Sequence, residues 1–142
     1  MTTEKTPAKK QKPAAFIFGA RPESLTADVK FTSITGAEVD MACEFVYRDR
    51  EEFGAFWDEI ADAKLPELPE GEKFTFERLA KEGIEFSVDR TMKFLKGWPL
   101  DLKFCRENVL RMFREEPAAP AAFWEAYRAA CAEGRLGNSK PQ

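Results

Sequence analysis

Histidine is absent from the 142-residue chain. With it go the commonest general base near neutral pH, the serine and cysteine triads that rely on an imidazole, and the commonest metal ligand. The eight glycines are scattered, and neither GxxxxGK[ST] nor GxGxxG occurs, so there is no phosphate-cradling loop. Cysteine is scarce. Cys43, Cys105 and Cys131 are odd in number, far apart and form no CxxC. That argues against a disulfide framework and against a zinc site, and for buried free thiols in a reducing cytosol. No apolar run approaches the ~20 residues of a membrane span, and no apolar stretch follows the first lysines as a secretory signal requires. The expected catalytic, cofactor-binding and metal-binding sets are therefore empty, with no small-molecule substrate and no membrane partner.

Two chemistries survive these absences and are weak. Glu51, Glu52, Asp58, Glu59 and Asp62 are numerous enough to pair for acid–base work or to hold a hard cation. They fall opposite an apolar stripe at helical spacing, however, which makes them the wet face of an amphipathic helix, and no DxDxDG loop is formed. Cys105 falls near the start of a helix, where the dipole favours a thiolate, but it has no imidazole to serve it. A cysteine- or carboxylate-dependent enzyme is kept as the alternative from another class.

What is present is apolar and aromatic. Hydrophobic residues make up 44% of the chain and charged ones 33%, a composition that folds rather than stays open. The length fits one domain with its own core. Phenylalanine occurs 13 times, more than a plain core needs, and aromatic surplus suits partner contact. Charge is uneven: residues 1–13 hold Lys5, Lys9, Lys10 and Lys12 against Glu4, and the remainder is acidic. An acidic body repels phosphate, so nucleic acid is not expected as a ligand.

Along the chain, residues 1–14 read as a disordered basic tail, 15–138 as one α+β domain, and 139–142 as a frayed end. Strands are expected over about 15–47, beginning with the short aromatic run Ala15–Ala20. From Val29 to Ile34 and again from Ala37 to Tyr47 the pattern alternates, with Val39, Met41, Cys43, Phe45 and Tyr47 on one face. Period two with one wet face predicts an antiparallel hairpin or small sheet, its tip at Thr35–Gly36. About four helices should occupy 50–133. Asp49 is the N-cap of the first, with Glu51 and Glu52 in its first turn and Phe53, Phe56, Trp57 and Ile60 as its stripe. The second is predicted over Thr75–Lys96, apolar on more than one side and stopped by Gly97. The third covers Arg106–Glu115, with Val109, Leu110 and Phe113 inward, and the fourth has Pro120 in its first turn and ends at Gly134. Trp98, Phe123, Trp124 and Tyr127 are the candidate partner-binding residues, with core packing as the competing reading: Phe123 and Tyr127 lie one turn apart and Trp124 about 100° round from Phe123, so the three cannot all face a small core equally.

The segment Phe74–Asn138 resembles the tail assembly chaperones of long-tailed bacteriophages and prophages. The pieces that carry the likeness are FTFERLA (Phe74–Ala80), Gly97, Trp98 and Leu100, then Phe104 with Glu107, Asn108, Val109 and Leu110. PAAPAAFWEAY (Pro117–Tyr127) and the closing Gly137 and Asn138 follow, and FVYRDREEF (Phe45–Phe53) is similar to the family's strand-to-helix junction. Pro99, Cys105, Arg111 and Met112 depart from the pattern. The resemblance implies a non-enzymatic chaperone in the host cytoplasm that binds the tape measure protein and, in some cases, tail tube subunits, and that is absent from the mature virion. It also implies that a longer, frameshifted product can begin its extension near Gly137–Gln142. Self-association through the hairpin edge or last helix remains open, as does the broader reading of a small protein-binding adaptor.

Overall fold

The computed structural model describes residues 16, 18–63, 68 and 70–137. The basic tail over 1–14 and the frayed end over 139–142 lie outside those residues. The chain runs β1 (Ser24–Thr32), β2 (Glu38–Val46), α1 (Arg50–Asp62), α2 (Phe76–Met92), β3 (Leu95–Gly97), α3 (Arg106–Glu115) and α4 (Ala119–Glu133). This is the expected α+β architecture: among the described residues, a three-stranded antiparallel sheet in the order β1-β2-β3 with four helices.

The hairpin follows from alternation. β1 and β2 pair in register from Ser24↔Val46 to Thr32↔Glu38. One face of the pair carries Ala27 and Val29 from β1 and Met41, Cys43 and Phe45 from β2, all buried. The turn closes through Ser33 and Ala37, whose backbone bond is 2.8 Å long, with Gly36 at φ 91° between them. A second tie holds the tip from outside. The Glu116 carboxylate, at the end of α3, accepts from the Ser33 hydroxyl and from the Ile34 N–H, both at 2.9 Å.

Each helix starts where a cap allows it. Asp49 accepts from the Glu52 N–H at 2.8 Å while the Glu52 side chain accepts from the Asp49 N–H at 3.0 Å. This reciprocal capping box satisfies two amides that have no partner inside α1. Thr75 caps α2 through the Arg78 N–H. α3 begins after Cys105, which makes no side-chain capping bond. α4 carries Pro120 in its first turn and ends at Gly134, whose left-handed φ of 70° turns the chain back along its own last carbonyls.

Two expectations are corrected. The second helix stops at Met92 rather than Lys96, with Lys93 as its C-cap. Leu95–Gly97 then forms β3 against Glu44 and Phe45 of β2, and the Val46 N–H donates to the Phe94 carbonyl at 2.8 Å. Gly97 therefore sits in a strand and is not the helix stop. The reason is non-local: Phe94 and Leu95 fit a helical stripe, but their burial against β2 and its free backbone groups makes the extended form the better use of them. The strand expected over Ala15–Ala20 is not seen where the chain is described; Phe16 and Phe18 are exposed and lie outside the sheet.

The sheet's inner face and the four helices share one cluster of buried side chains. Its centre is aromatic. The Phe94 and Tyr127 rings stack at 4.6 Å with 5° between planes. Phe45 lies 5.6 Å from Tyr127 and 6.1 Å from Phe94, and Phe53 and Phe56 meet Tyr127 edge-on. The Tyr127 hydroxyl donates to the Val46 carbonyl at 2.9 Å and accepts from the Arg48 guanidinium at 2.8 Å, so the buried polar tip is satisfied on both counts. Arg48 itself lies over the Phe56 ring, 3.9 Å from its centre.

Candidate functional site

The four aromatic residues singled out by sequence fall into two groups. Phe123 and Tyr127 are fully enclosed, Phe123 against Phe113 and Tyr127 in the stack just described. In this conformation neither has surface for another chain to touch. Trp98 and Trp124 are half-buried. Trp98 donates from its indole N–H to the Leu102 carbonyl at 2.9 Å and meets Phe104 edge-on, which fixes the loop after β3. Trp124 stacks on Phe53 and meets Trp57, with the Arg90 guanidinium 5.1 Å above its ring. The structure thus brings all four onto one core, Phe123 and Tyr127 within it and Trp98 and Trp124 packed against it.

The most exposed large apolar side chains lie elsewhere: Phe16 and Phe18 ahead of β1, Ile34 at the hairpin tip, and a group at the start of α2. Phe76 at the first position of α2 is 80% exposed, Phe74 just before the cap is 58% exposed, and Leu79 is 45% exposed. The two phenyl rings meet each other edge-on at 5.4 Å. Beside them a groove of about 380 Å³ opens between α2 and α3. Its apolar members are Ala80, Ile84 and Leu110; its charged members are Glu77, Lys81, Glu85 and Arg114. At about 100° per residue Phe76 lies roughly 120° round the helix from the enclosed Val88, so the side of α2 that carries Phe76 is not the side that packs into the core.

Phe74 and Leu79 hold the positions flanking the cap where a hydrophobic staple is made, and Phe76 has no such role. That is the one signal by which sequence could have marked Phe76 as spare. The expectation of a second helix apolar on more than one side did not separate it from the residues that pack inward, such as Val88.

The groups considered for catalysis are differently disposed. Burial pushes the Cys43 thiol up to about 12, and it also raises that of Cys131, which disfavours a thiolate in either. On α1, the Asp49 amide and then Arg21 hold the Glu52 carboxyl below the usual carboxylate range. Lys93, 2.9 Å away, does the same for Glu59. These two carboxylates face cations, not each other. No described helix is long and apolar enough to cross a membrane.

A family model described as phage tail assembly chaperone matches residues 13–138. No curated protein and no solved structure matches the chain.

Proposed function

The chain belongs to the phage tail assembly chaperone family, and from that premise we propose that it binds the tape measure protein while a tail is built, laying an apolar stripe of a partner helix along the start of α2. It acts without catalysis, in the host cytoplasm, and leaves no copy in the finished particle. The observation that carries this reading is the exposure of Phe74, Phe76 and Leu79 next to the groove floored by Ala80, Ile84 and Leu110. A folded chain of this size rarely leaves a contiguous run of large apolar side chains in water unless another surface covers it. A helix carrying apolar residues at i, i+3, i+4 and i+7 fits such a groove, and the mixed charges of Glu77, Lys81, Glu85 and Arg114 form a polar rim around it.

Co-purification tests the reading. Overlapping fragments of the tape measure protein from the same phage should include at least one that binds the 142-residue chain, and Phe76→Asp combined with Phe74→Ser should abolish that complex while the chain stays folded by circular dichroism. No complex with any fragment, or a complex indifferent to both substitutions, would overturn it. Tail tube subunits belong in the same experiment as the second partner of the family's role; binding to them alone would move the proposal from the helix groove to the sheet.

A further inference from the structure

A pocket of about 250 Å³ lies between the end of α1 and the last turns of α2. Its apolar walls are Ile60 of α1, the cap residue Ala63, and Phe86 of α2. Glu59, Asp89, Arg90 and Lys93 supply its charges. Three of the four have partners. Lys93 donates to Glu59 at 2.9 Å, and Asp89 pairs with Arg106 of α3. Arg90 is the exception. Among the described residues its side chain makes no ion pair, and its Nε–H is buried without an acceptor.

Trp124 accounts for one face of this guanidinium, which lies 5.1 Å from the ring centre. A ring face does nothing for the edge, where the N–H donors of arginine lie in one plane. Burial pulls the Arg90 pKa down, and no carboxylate opposes the shift. Cations withdrawn from water are paired as a rule, and a carboxylate matches the guanidinium fork best. The lining also selects among anions. With Glu59 and Asp89 already neutralised, one positive charge is left to answer, which suits a single negative charge and disfavours the second charge of a phosphate. The walls at Ile60, Ala63 and Phe86 suit a short hydrocarbon stem behind the carboxylate. A glutamate side chain has both parts.

We propose that this pocket receives a glutamate side chain of a partner chain, its carboxylate on the guanidinium edge of Arg90 and its two methylenes against Ile60 and Phe86. The contact is a second point of attachment. Arg90 lies ~21 Å along α2 from Phe76 at the helical rise. An apolar stripe can slide along a groove, whereas one carboxylate on one guanidinium fixes the register of the chain that carries it. The site does not depend on which protein covers the start of α2.

Side-chain N–H signals in nitrogen-15 NMR of the full chain test the assignment. Titration with N-acetylglutamate α-amide should shift the Arg90 Nε–H and the Trp124 indole N–H saturably. N-acetylglutamine amide and inorganic phosphate at the same concentrations should not. The Trp98 indole N–H, bonded to the Leu102 carbonyl, should stay in place throughout and reports that the fold is intact. Arg90→Lys keeps the charge and loses the fork, and should weaken the Trp124 response by about tenfold or more. Glu67→Gln should leave the Arg90 signal of the free chain where it is. No response to the glutamate compound would overturn the proposal, as would an equal response to the glutamine compound or a stronger one to phosphate. An Arg90 signal moved by Glu67→Gln would hand the guanidinium to the chain's own carboxylate and overturn it as well.

Discussion

Phe94 and Phe76 carry the same side chain into opposite surroundings. Phe94, just past the end of α2, has Tyr127 stacked on one face, Phe45 nearby and Phe56 at its edge, and no exposed surface. Phe76, at the start of the same helix, is 80% exposed and touches one other ring. Neighbours make the difference: β2, α1 and α4 converge on Phe94, whereas Phe76 lies on a different side of α2 from the enclosed Val88. Burying such a ring stabilises a fold by roughly 1.5–3 kcal/mol relative to leaving it in water. One end of α2 therefore carries stability, and the other keeps apolar area that the fold does not use.

The contrast is sharpest in the deletion of each ring. Phe94→Ala should destabilise the chain by about 3–5 kcal/mol in denaturant unfolding, because a cavity opens at the centre of the aromatic cluster. A loss under ~1 kcal/mol would mean that the cluster is not the keystone of the core. Next in size, Tyr127→Phe keeps the stack and strips the hydroxyl that joins Arg48 to the Val46 carbonyl, with an expected cost of about 1–3 kcal/mol. A neutral outcome would place the weight of Tyr127 in its ring alone. Asp49→Ala removes one half of the capping box of α1 and should cost ~1 kcal/mol, read as a lower unfolding midpoint at unchanged slope. Smallest of all, Phe76→Ser should move stability by less than about 0.5 kcal/mol. A cost comparable to that of Phe94→Ala would erase the distinction between the two ends.

Local rules made much of the fold readable. Alternation over Ala37–Tyr47 marked the buried face of β2, Asp49 with Glu52 marked the start of α1, and Arg106–Glu115 emerged with the bounds expected of α3. β3 escaped because three residues are too few to show a period, and Leu95 suits a helical stripe as well as a strand. Only its partner Phe45, distant in sequence, distinguishes the two. The partner surface escaped for a related reason. α2 is apolar on more than one side, and periodicity does not say which side the core takes: Val88 is enclosed, while Phe76, about 120° round the helix, is bare. Phe123 and Tyr127 raised the converse difficulty, since Phe113 of α3 helps to enclose the first and the stack round the second draws on β2, α1 and the residue before β3.

Glu116 bears on how this body moves. Its carboxylate grips the turn at Ser33 and Ile34 from the corner between α3 and α4, while the base of the same hairpin is stitched to Phe94 through Val46. A hairpin held only at its root is a lever; held at both extremities it becomes a strut, and bending it requires one of those attachments to let go.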